Sequence, residues 1–178
     1  MRTLVLGGTR SGKSLYAESL LDGAPRVRYV ATLRPDDVEC VQRIRRHRER
    51  RPHGWELVEA GPHLGAALDG LAPDTSVLVD GITLWLAALL DDGAAAANPE
   101  PAVEMAVARL TALPSVVIVA DDVGGGLVPE SALARRFRDL AGELNQRLAA
   151  ACDRVVLVTA GLPLVLKGPP PHTAHKEE

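Results

Sequence analysis

The sequence predicts an α/β protein with three layers, in which helices cover both sides of a mostly parallel central sheet. Short apolar runs rich in β-branched residues alternate along the chain with segments of helical periodicity, which is the pattern of βαβ units. One such run, 115–120 (SVVIVA), is apolar throughout, as is typical of a strand buried on both faces. The first run is followed at once by a glycine-rich turn and a helical segment, an arrangement found in nucleotide-binding α/β domains.

The strands are predicted where the apolar runs are bounded by turn residues. They cover 3–6, 27–32, 55–59, 76–80, 115–120 and 154–159. The stretch 55–59 (WELVE) alternates, whereas 76–80 (SVLVD) ends in an acid. Because a helical segment separates most of these runs, the connections favour parallel pairing.

The helices are predicted where apolar residues recur at three- and four-residue spacing. They cover 15–21, 36–51, 63–71, 84–90, 101–113 and 131–151. In the second of these, Asp36 and Asp37 lie in the first turn, where the helix dipole favours acids, and Pro52 and Gly54 end it. We expect 93–98 to be a flexible surface excursion.

Composition indicates one domain over residues 1–167, followed by a disordered tail over 168–178 that opens with Gly and three prolines. The net charge of −3 predicts no attraction to nucleic acid or to anionic membranes. Cys40 and Cys152 have no metal-binding spacing, and we interpret them as buried thiols in a reducing cytoplasm. No signal peptide and no apolar run of transmembrane length is present, so we expect a cytoplasmic protein.

The glycine-rich turn has the spacing Gly7-x-x-x-x-Gly12-Lys13-Ser14, which is that of a phosphate-binding loop. Glycine lets the backbone bend so that its N–H groups point at phosphate oxygens. Lys13 would reach the β- and γ-phosphates, and the Ser14 hydroxyl would hold Mg²⁺. All eight residues are therefore predicted nucleotide contacts: Gly7, Gly8, Thr9, Arg10, Ser11, Gly12, Lys13 and Ser14.

A second acid is needed to hold the magnesium ion, and such an acid usually ends a buried strand. Asp80 ends SVLVD and is the first candidate, although an aspartate there also suits a helix N-cap. Asp121 and Asp122, which follow the 115–120 strand, are rivals for the same role or for that of a general base.

An arginine-rich stretch at 43–51 holds six arginines around His47. It could be a solvated basic face, a nucleic-acid contact or a clamp for a triphosphate. Nucleic acid is disfavoured because no aromatic side chains are interleaved for base stacking and the chain is acidic overall. His47 borders the apolar stripe of its predicted helix, and a neutral imidazole there would be a candidate nucleophile.

Several blocks together resemble the bifunctional adenosylcobinamide kinase/adenosylcobinamide-phosphate guanylyltransferase family of cobalamin biosynthesis. They are GGTRSGKS at 7–14, YVAT at 29–32, the histidine block at 43–59, VLVDGITLWL at 77–86, VGGGLVP at 123–129 and RFRDLAGELNQRL at 136–148. The resemblance covers about residues 2–167, and the histidine block with the 136–148 block makes it specific.

The resemblance implies two reactions. ATP or GTP would phosphorylate the aminopropanol hydroxyl of adenosylcobinamide, and GTP would then donate GMP through a guanylyl-histidine to adenosylcobinamide phosphate. The histidine that matches is His47. The resemblance further implies nucleotide contacts at Thr32, Leu33, Arg34, Arg48, Glu49, Arg50, Arg51, Glu59 and Asp80, with Mg²⁺ at Ser14 and Asp80.

The resemblance also implies a homotrimer with nucleotide sites near the subunit contacts. At 121–122 this chain has Asp-Asp where such proteins more often have Asn-Glu, so Asp122 is the expected acid or base. Two alternatives remain: a P-loop kinase of another small molecule without a covalent intermediate, and a nucleic-acid-stimulated ATPase that binds DNA through its arginines.

Overall fold

The structure is a computed structural model that describes residues 1–32 and 54–169. Within these residues seven strands form one sheet in the order β3-β2-β4-β5-β1-β6-β7. The strands are β1 (Arg2–Gly7), β2 (Arg26–Ala31), β3 (Glu56–Glu59), β4 (Thr75–Asp80), β5 (Val116–Asp121), β6 (Arg154–Thr159) and β7 (Leu162–Lys167). The first six pair in parallel, which confirms the predicted fold class, and β7 runs antiparallel to β6.

Helices lie on both faces of the sheet. They are α1 (Lys13–Ser19), α2 (Leu64–Ala67), α3 (Ile82–Asp91), α4 (Gly93–Ala97), α5 (Glu100–Thr111) and α6 (Ala132–Ala151). The helix predicted over 36–51 lies outside the described residues. The N-cap of α6 is Ser131, whose hydroxyl accepts a hydrogen bond from the Ala134 N–H at 3.5 Å.

Two hydrophobic cores result from the alternation of side chains along each strand. Leu4 of β1 is fully buried in the larger core, which it shares with α2, α3, α5 and α6. Its neighbour Val5 points the other way into the core beneath α1. Both faces of β1, the strand that leads into the glycine-rich loop, are therefore covered.

Strand β7 was not predicted from the sequence. It pairs with β6 through a two-residue turn in which Ala160 and Gly161 have φ angles of 52° and 80°. Positive φ at both positions is the geometry that joins twisted strands in a tight hairpin, but Ala-Gly lacks the usual Asn-Gly signal. Pro163 is tolerated within β7 because this strand is at the sheet edge.

The segment 93–98 was expected to be a flexible surface excursion, and no helix was predicted there. Gly93–Ala97 forms the short helix α4. A run of four alanines follows Gly93, and alanine has the highest helix propensity.

The strand starts are tied together at the edge of the sheet opposite the glycine-rich loop. Asp153 accepts hydrogen bonds from the Arg2 backbone N–H at 2.8 Å and from Arg2 Nη2 at 2.7 Å. These bonds lower the pKa of the Asp153 carboxyl to about 2. Beside it Cys152 is buried, as predicted, and burial raises the pKa of its thiol to about 11. Cys40 lies outside the described residues.

Across 1–32 and 54–169, no helix has both the length and the apolar character needed to cross a membrane.

Candidate nucleotide-binding site

The glycine-rich loop joins β1 to α1 at the carboxyl edge of the sheet. Gly12 precedes α1 with φ of 94°, a left-handed conformation that glycine adopts without strain. At Gly7 a Cβ would lie 2.5 Å from Ser11 Oγ and 2.6 Å from the Val158 carbonyl oxygen. Only glycine fits at Gly7, so both ends of the motif are required by the shape of the loop.

The β6–β7 turn supports this loop from behind. The Gly161 N–H donates to the Ser11 carbonyl at 2.8 Å, and inside the loop the Ser11 N–H donates to the Gly8 carbonyl at 3.2 Å. A Cβ on Gly12 would lie 3.2 Å from Gly161 Cα. The unpredicted hairpin is therefore part of the scaffold that holds the loop.

Lys13 is the cation of the loop, and its side chain is almost fully enclosed. Its Nζ donates to the Gly8 carbonyl at 3.2 Å and forms an ion pair with Asp121 Oδ1 at 2.7 Å. The exposed fraction of the side chain is 6% for Lys13 and 22% for Asp121. Of the two rival acids after β5, Asp121 is therefore the one that contacts the loop lysine.

The backbone of Asp121 is held by two side chains from different helices. The Thr83 hydroxyl accepts from the Asp121 N–H at 2.7 Å, and the Asn145 amide donates to the Asp121 carbonyl at 3.1 Å. The next N–H, that of Asp122, donates to the Gly7 carbonyl at 3.1 Å. The Asp122 carboxylate itself is exposed and accepts from the Gly124 N–H at 3.4 Å.

Asp80 ends β4 and meets the loop through Ser14. The Ser14 hydroxyl donates to Asp80 Oδ1 at 3.2 Å, and the Tyr29 hydroxyl donates to Asp80 Oδ2 at 2.5 Å. Thr32 holds the turn that follows β4: its N–H donates to the Asp80 carbonyl at 3.2 Å and its hydroxyl to the Gly81 carbonyl at 2.5 Å. The Thr32 side chain is buried in these contacts. The nucleotide contact that the resemblance implies for Thr32 stays a prediction.

The residues around Ser14 fit a magnesium ion. A hydroxyl and a carboxylate oxygen are hard ligands, and Mg²⁺ usually takes one or two carboxylates together with phosphate oxygens and water. In the described part of the chain no group of three or more His, Cys, Asp or Glu side chains forms a metal cluster. Ser14 and Asp80 therefore suit a magnesium site whose remaining ligands are nucleotide phosphates and water.

The remaining predicted site residues are Glu59, on the outermost strand β3, and residues of the undescribed segment 33–53. Glu59 ends β3, four strands away from β1, which corresponds to about 19 Å at the usual strand spacing. The structure therefore does not bring Glu59 next to the phosphate loop. The predicted residues that lie outside the described ranges are Leu33, Arg34, His47, Arg48, Glu49, Arg50 and Arg51.

Sequence reasoning missed the residues that position the site. The roles of Tyr29 at Asp80, of Thr83 and Asn145 at Asp121, and of Gly161 behind the loop were not foreseen. Tyr29, Thr83 and Asn145 lie within the blocks 29–32, 77–86 and 136–148 that carry the family resemblance, and this is the signal that could have marked them.

The loop, its buried lysine and the Ser14–Asp80 pair at the carboxyl edge of a parallel sheet define a P-loop nucleotide-binding protein. The profile of the cobinamide kinase/cobinamide phosphate guanyltransferase family matches residues 3–166. The chain belongs to this family, which confirms the predicted membership and the predicted enzyme class, a kinase and guanylyltransferase of cobalamin biosynthesis.

Named relatives cover nearly the whole chain. The bifunctional adenosylcobalamin biosynthesis proteins CobU of Salmonella typhimurium and of Escherichia coli are each 40% identical over 181 residues, which is 94% of this chain and 100% of theirs. The bifunctional adenosylcobalamin biosynthesis protein CobP of Pseudomonas aeruginosa is 41% identical over 174 residues, which is 96% of this chain and 99% of its own length.

A solved structure supports the fold alone. A prototypical ATPase from the type III secretion system of pathogenic bacteria superposes with a TM-score of 0.53 at 13% identity. The match covers 92% of this chain and 56% of that ATPase chain. It agrees with the α/β fold described above, a mostly parallel sheet covered by helices.

Proposed function

We propose that the chain phosphorylates adenosylcobinamide with ATP or GTP and then transfers GMP from GTP to adenosylcobinamide phosphate, through a covalent guanylyl-histidine at His47. The product is adenosylcobinamide-GDP. The observation that carries the proposal is the combination of an intact phosphate loop, with Lys13 and Asp80 in place, and a family match that extends across His47.

His47 gives the second reaction a two-step course. Its neutral imidazole nitrogen attacks the α-phosphorus of GTP, a P–N bond forms, and the bond to the β-phosphate oxygen breaks to release pyrophosphate. The phosphate of adenosylcobinamide phosphate then attacks the same phosphorus and displaces the histidine. We propose that Arg48, Arg50 and Arg51 balance the charge of the triphosphate and of the leaving group.

The order of strands in the sheet is compatible with the two proposed reactions. Lys13, in the loop that follows β1, meets Asp121 at the end of the neighbouring strand β5, where the outer phosphates bind in P-loop proteins. The segment that carries His47 connects β2 to β3 in the chain, and both strands lie beyond β4 in the sheet order. We propose that the nucleotide lies along this edge, with contacts from the loop residues 7–14 and Asp80 and from Thr32, Leu33, Arg34, Glu49 and Glu59.

Mg²⁺ would be held by Ser14 and Asp80 together with phosphate oxygens. When bound, the ion would neutralise phosphate charge during both transfers. We further propose that the protein acts in the cytoplasm, as a homotrimer. The exposed leucines of β7, Leu162, Leu164 and Leu166, offer an apolar surface that association between subunits would cover.

The covalent intermediate is tested with GTP labelled on the α-phosphate. We expect labelled protein after denaturation, with a label that is stable in base and lost in acid, as a phosphoramidate is. His47→Asn should bind GTP and stay unlabelled, because an amide cannot replace the imidazole as nucleophile.

His63→Asn is the matched control, since His63 lies in the described part of the chain before α2 and has no proposed role. It should retain the label. A wild-type protein that binds GTP and carries no label would contradict the proposed intermediate. A labelled His47→Asn protein would show that the GMP is attached to another residue.

A further inference from the structure

We propose that Asp121 is the general base of the kinase step, accepting the proton of the acceptor hydroxyl as that oxygen attacks the γ-phosphorus. The inference rests on the proposed kinase reaction and names a residue for it. It replaces Asp122, which the sequence suggested, with the neighbouring acid that the structure places at the loop lysine.

Asp121 stands beside the position that the outer phosphate would take. It is in register with Gly7 on the adjacent strand, and its carboxylate is 2.7 Å from Lys13 Nζ. The loop lysine of such sites contacts the β- and γ-phosphates. A carboxylate in direct contact with that ammonium group is therefore next to the γ-phosphate position.

The backbone that carries the carboxylate is also held in place. The Asp121 N–H and C=O are bound by Thr83 and Asn145, and the Asp122 N–H is bound to the Gly7 carbonyl. Three elements, α3, α6 and β1, thus fix the position of one acid. A general base needs a fixed position, because it must be within hydrogen-bond distance of the proton that it removes in the reacting complex.

The other described acids at this edge are less suited. Both oxygens of Asp80 accept hydrogen bonds, from Ser14 and from Tyr29, which suits a metal ligand. Asp122 is exposed and bonded to the Gly124 N–H in its own loop. Glu59 is four strands from the phosphate loop.

Asp121 is more accessible to a large acceptor than Lys13 is. The exposed fraction of the Asp121 side chain is more than three times that of Lys13, at 22% against 6%. The loop that follows contains Gly125 and Gly126, and a Cβ built on either would meet nothing within 4 Å. The acid is thus the member of the pair that a substrate can reach.

Nucleotide binding would release the base from its partner. Lys13 turns to the phosphate oxygens, and the Asp121 carboxylate becomes available to accept a hydrogen bond from the acceptor hydroxyl. The acceptor O–H bond then breaks with its proton passing to the Asp121 oxygen. The oxygen bonds to the γ-phosphorus, the bond to the β-phosphate bridging oxygen breaks, and the nucleoside diphosphate leaves; water later takes the proton from Asp121.

The test compares the two half-reactions in Asp121→Asn. Phosphorylation of adenosylcobinamide should lose ~10²–10⁴ in kcat, the usual contribution of a general base, without a rise in the KM for nucleotide. Guanylyl transfer to preformed adenosylcobinamide phosphate should stay within about threefold, because the attacking phosphate has no proton that this base must remove. Asp121→Glu, which keeps a carboxylate, should restore part of the kinase rate.

Glu130→Gln is the matched control, an exposed acid on the same loop that should leave both rates unchanged. Equal loss of both reactions in Asp121→Asn, or a raised magnesium requirement, would overturn the inference in favour of a structural or metal-binding role. Kinase loss in Asp122→Asn with an active Asp121→Asn would overturn it as well. A wild-type protein without kinase activity would refute the proposed kinase reaction itself, and this inference with it.

Discussion

At the scale of single residues, the two oxygens of Asp80 are held by two different hydroxyl groups. Ser14 donates to one oxygen and Tyr29, which is 1% exposed, donates to the other. Ser14 belongs to the loop and was predicted as a metal ligand. Tyr29 lies on the neighbouring strand β2 and binds the other oxygen of the Asp80 carboxylate. Groups that orient a metal-binding carboxylate from behind typically change metal affinity when they are removed.

We therefore expect Tyr29→Phe to raise the magnesium concentration for half-maximal activity by about 10- to 100-fold, because Asp80 loses the bond that orients it. The ring stays in the core, so the fold should persist. Activity measured against magnesium at saturating nucleotide tests this.

Tyr16→Phe provides the control for Tyr29→Phe. These are the two tyrosines of the chain, and the buried Tyr16 hydroxyl has no hydrogen-bond partner among the described residues. Burial raises the pKa of its phenol, which keeps it neutral. An equal magnesium requirement in wild type and Tyr29→Phe would show that Tyr29 does not orient the metal site.

At the scale of secondary-structure elements, β1 is anchored at both ends. At its start Arg2 is bound to Asp153 at the beginning of β6, and at its end Gly7 is packed against Ser11 and Val158. The parallel pairing of β1 with β6 is thus fixed by side chains at one edge of the sheet and by the loop at the other.

The Asp153 bond makes part of the stability depend on pH. The pKa of the folded carboxyl is about 2, below its ordinary value of 3.8, so the stabilisation is present above pH 4 and is lost as pH falls toward 2. We expect Asp153→Asn to unfold at lower urea concentration than wild type at pH 7, with a difference that shrinks between pH 4 and pH 2.

Asp22→Asn is the comparison for Asp153→Asn, because Asp22 is exposed and the described residues offer its side chain no partner. It should change the urea midpoint little at any pH. If the effect of Asp153→Asn were the same at pH 7 and pH 3, the carboxylate would not be the source of the stabilisation.

Elements with a clear hydrophobic pattern could be predicted from the sequence, whereas elements that depend on contacts with distant parts of the chain could not. The strand Arg154–Thr159 was predicted to the residue, because its apolar run is continuous. The helix expected over 63–71 is only Leu64–Ala67. Strand β7 depends on a turn without the usual signal and on pairing with β6, neither of which local sequence reveals.

At the scale of the whole molecule, the predicted α/β class and the phosphate loop followed from the sequence because both depend on local spacing. The contact between Lys13 and Asp121 did not, because it depends on which strand lies beside β1. In the chain β5 comes long after β1, and only the order of strands in the sheet brings the end of β5 to the loop. The register, in which Asp121 is opposite Gly7, then selects Asp121 over Asp122.

The proposed trimer is a prediction at this scale. Sedimentation equilibrium should give three times the chain mass of 18.9 kDa at micromolar concentration. Leu162, Leu164 and Leu166 are 73%, 58% and 54% exposed, which is unfavourable for an isolated chain in water. A mass equal to that of one chain would contradict the proposed assembly.

The ion pair between Lys13 and Asp121 also bears on which anions can occupy the loop. The cation already has an internal counterion at 2.7 Å, so an incoming anion must displace a carboxylate. Inorganic phosphate or sulfate offers a single group for this exchange, whereas a polyphosphate engages the lysine and the loop N–H groups together. The pair therefore selects against abundant small anions, and the enzyme stays available to nucleotides in a phosphate-rich cell.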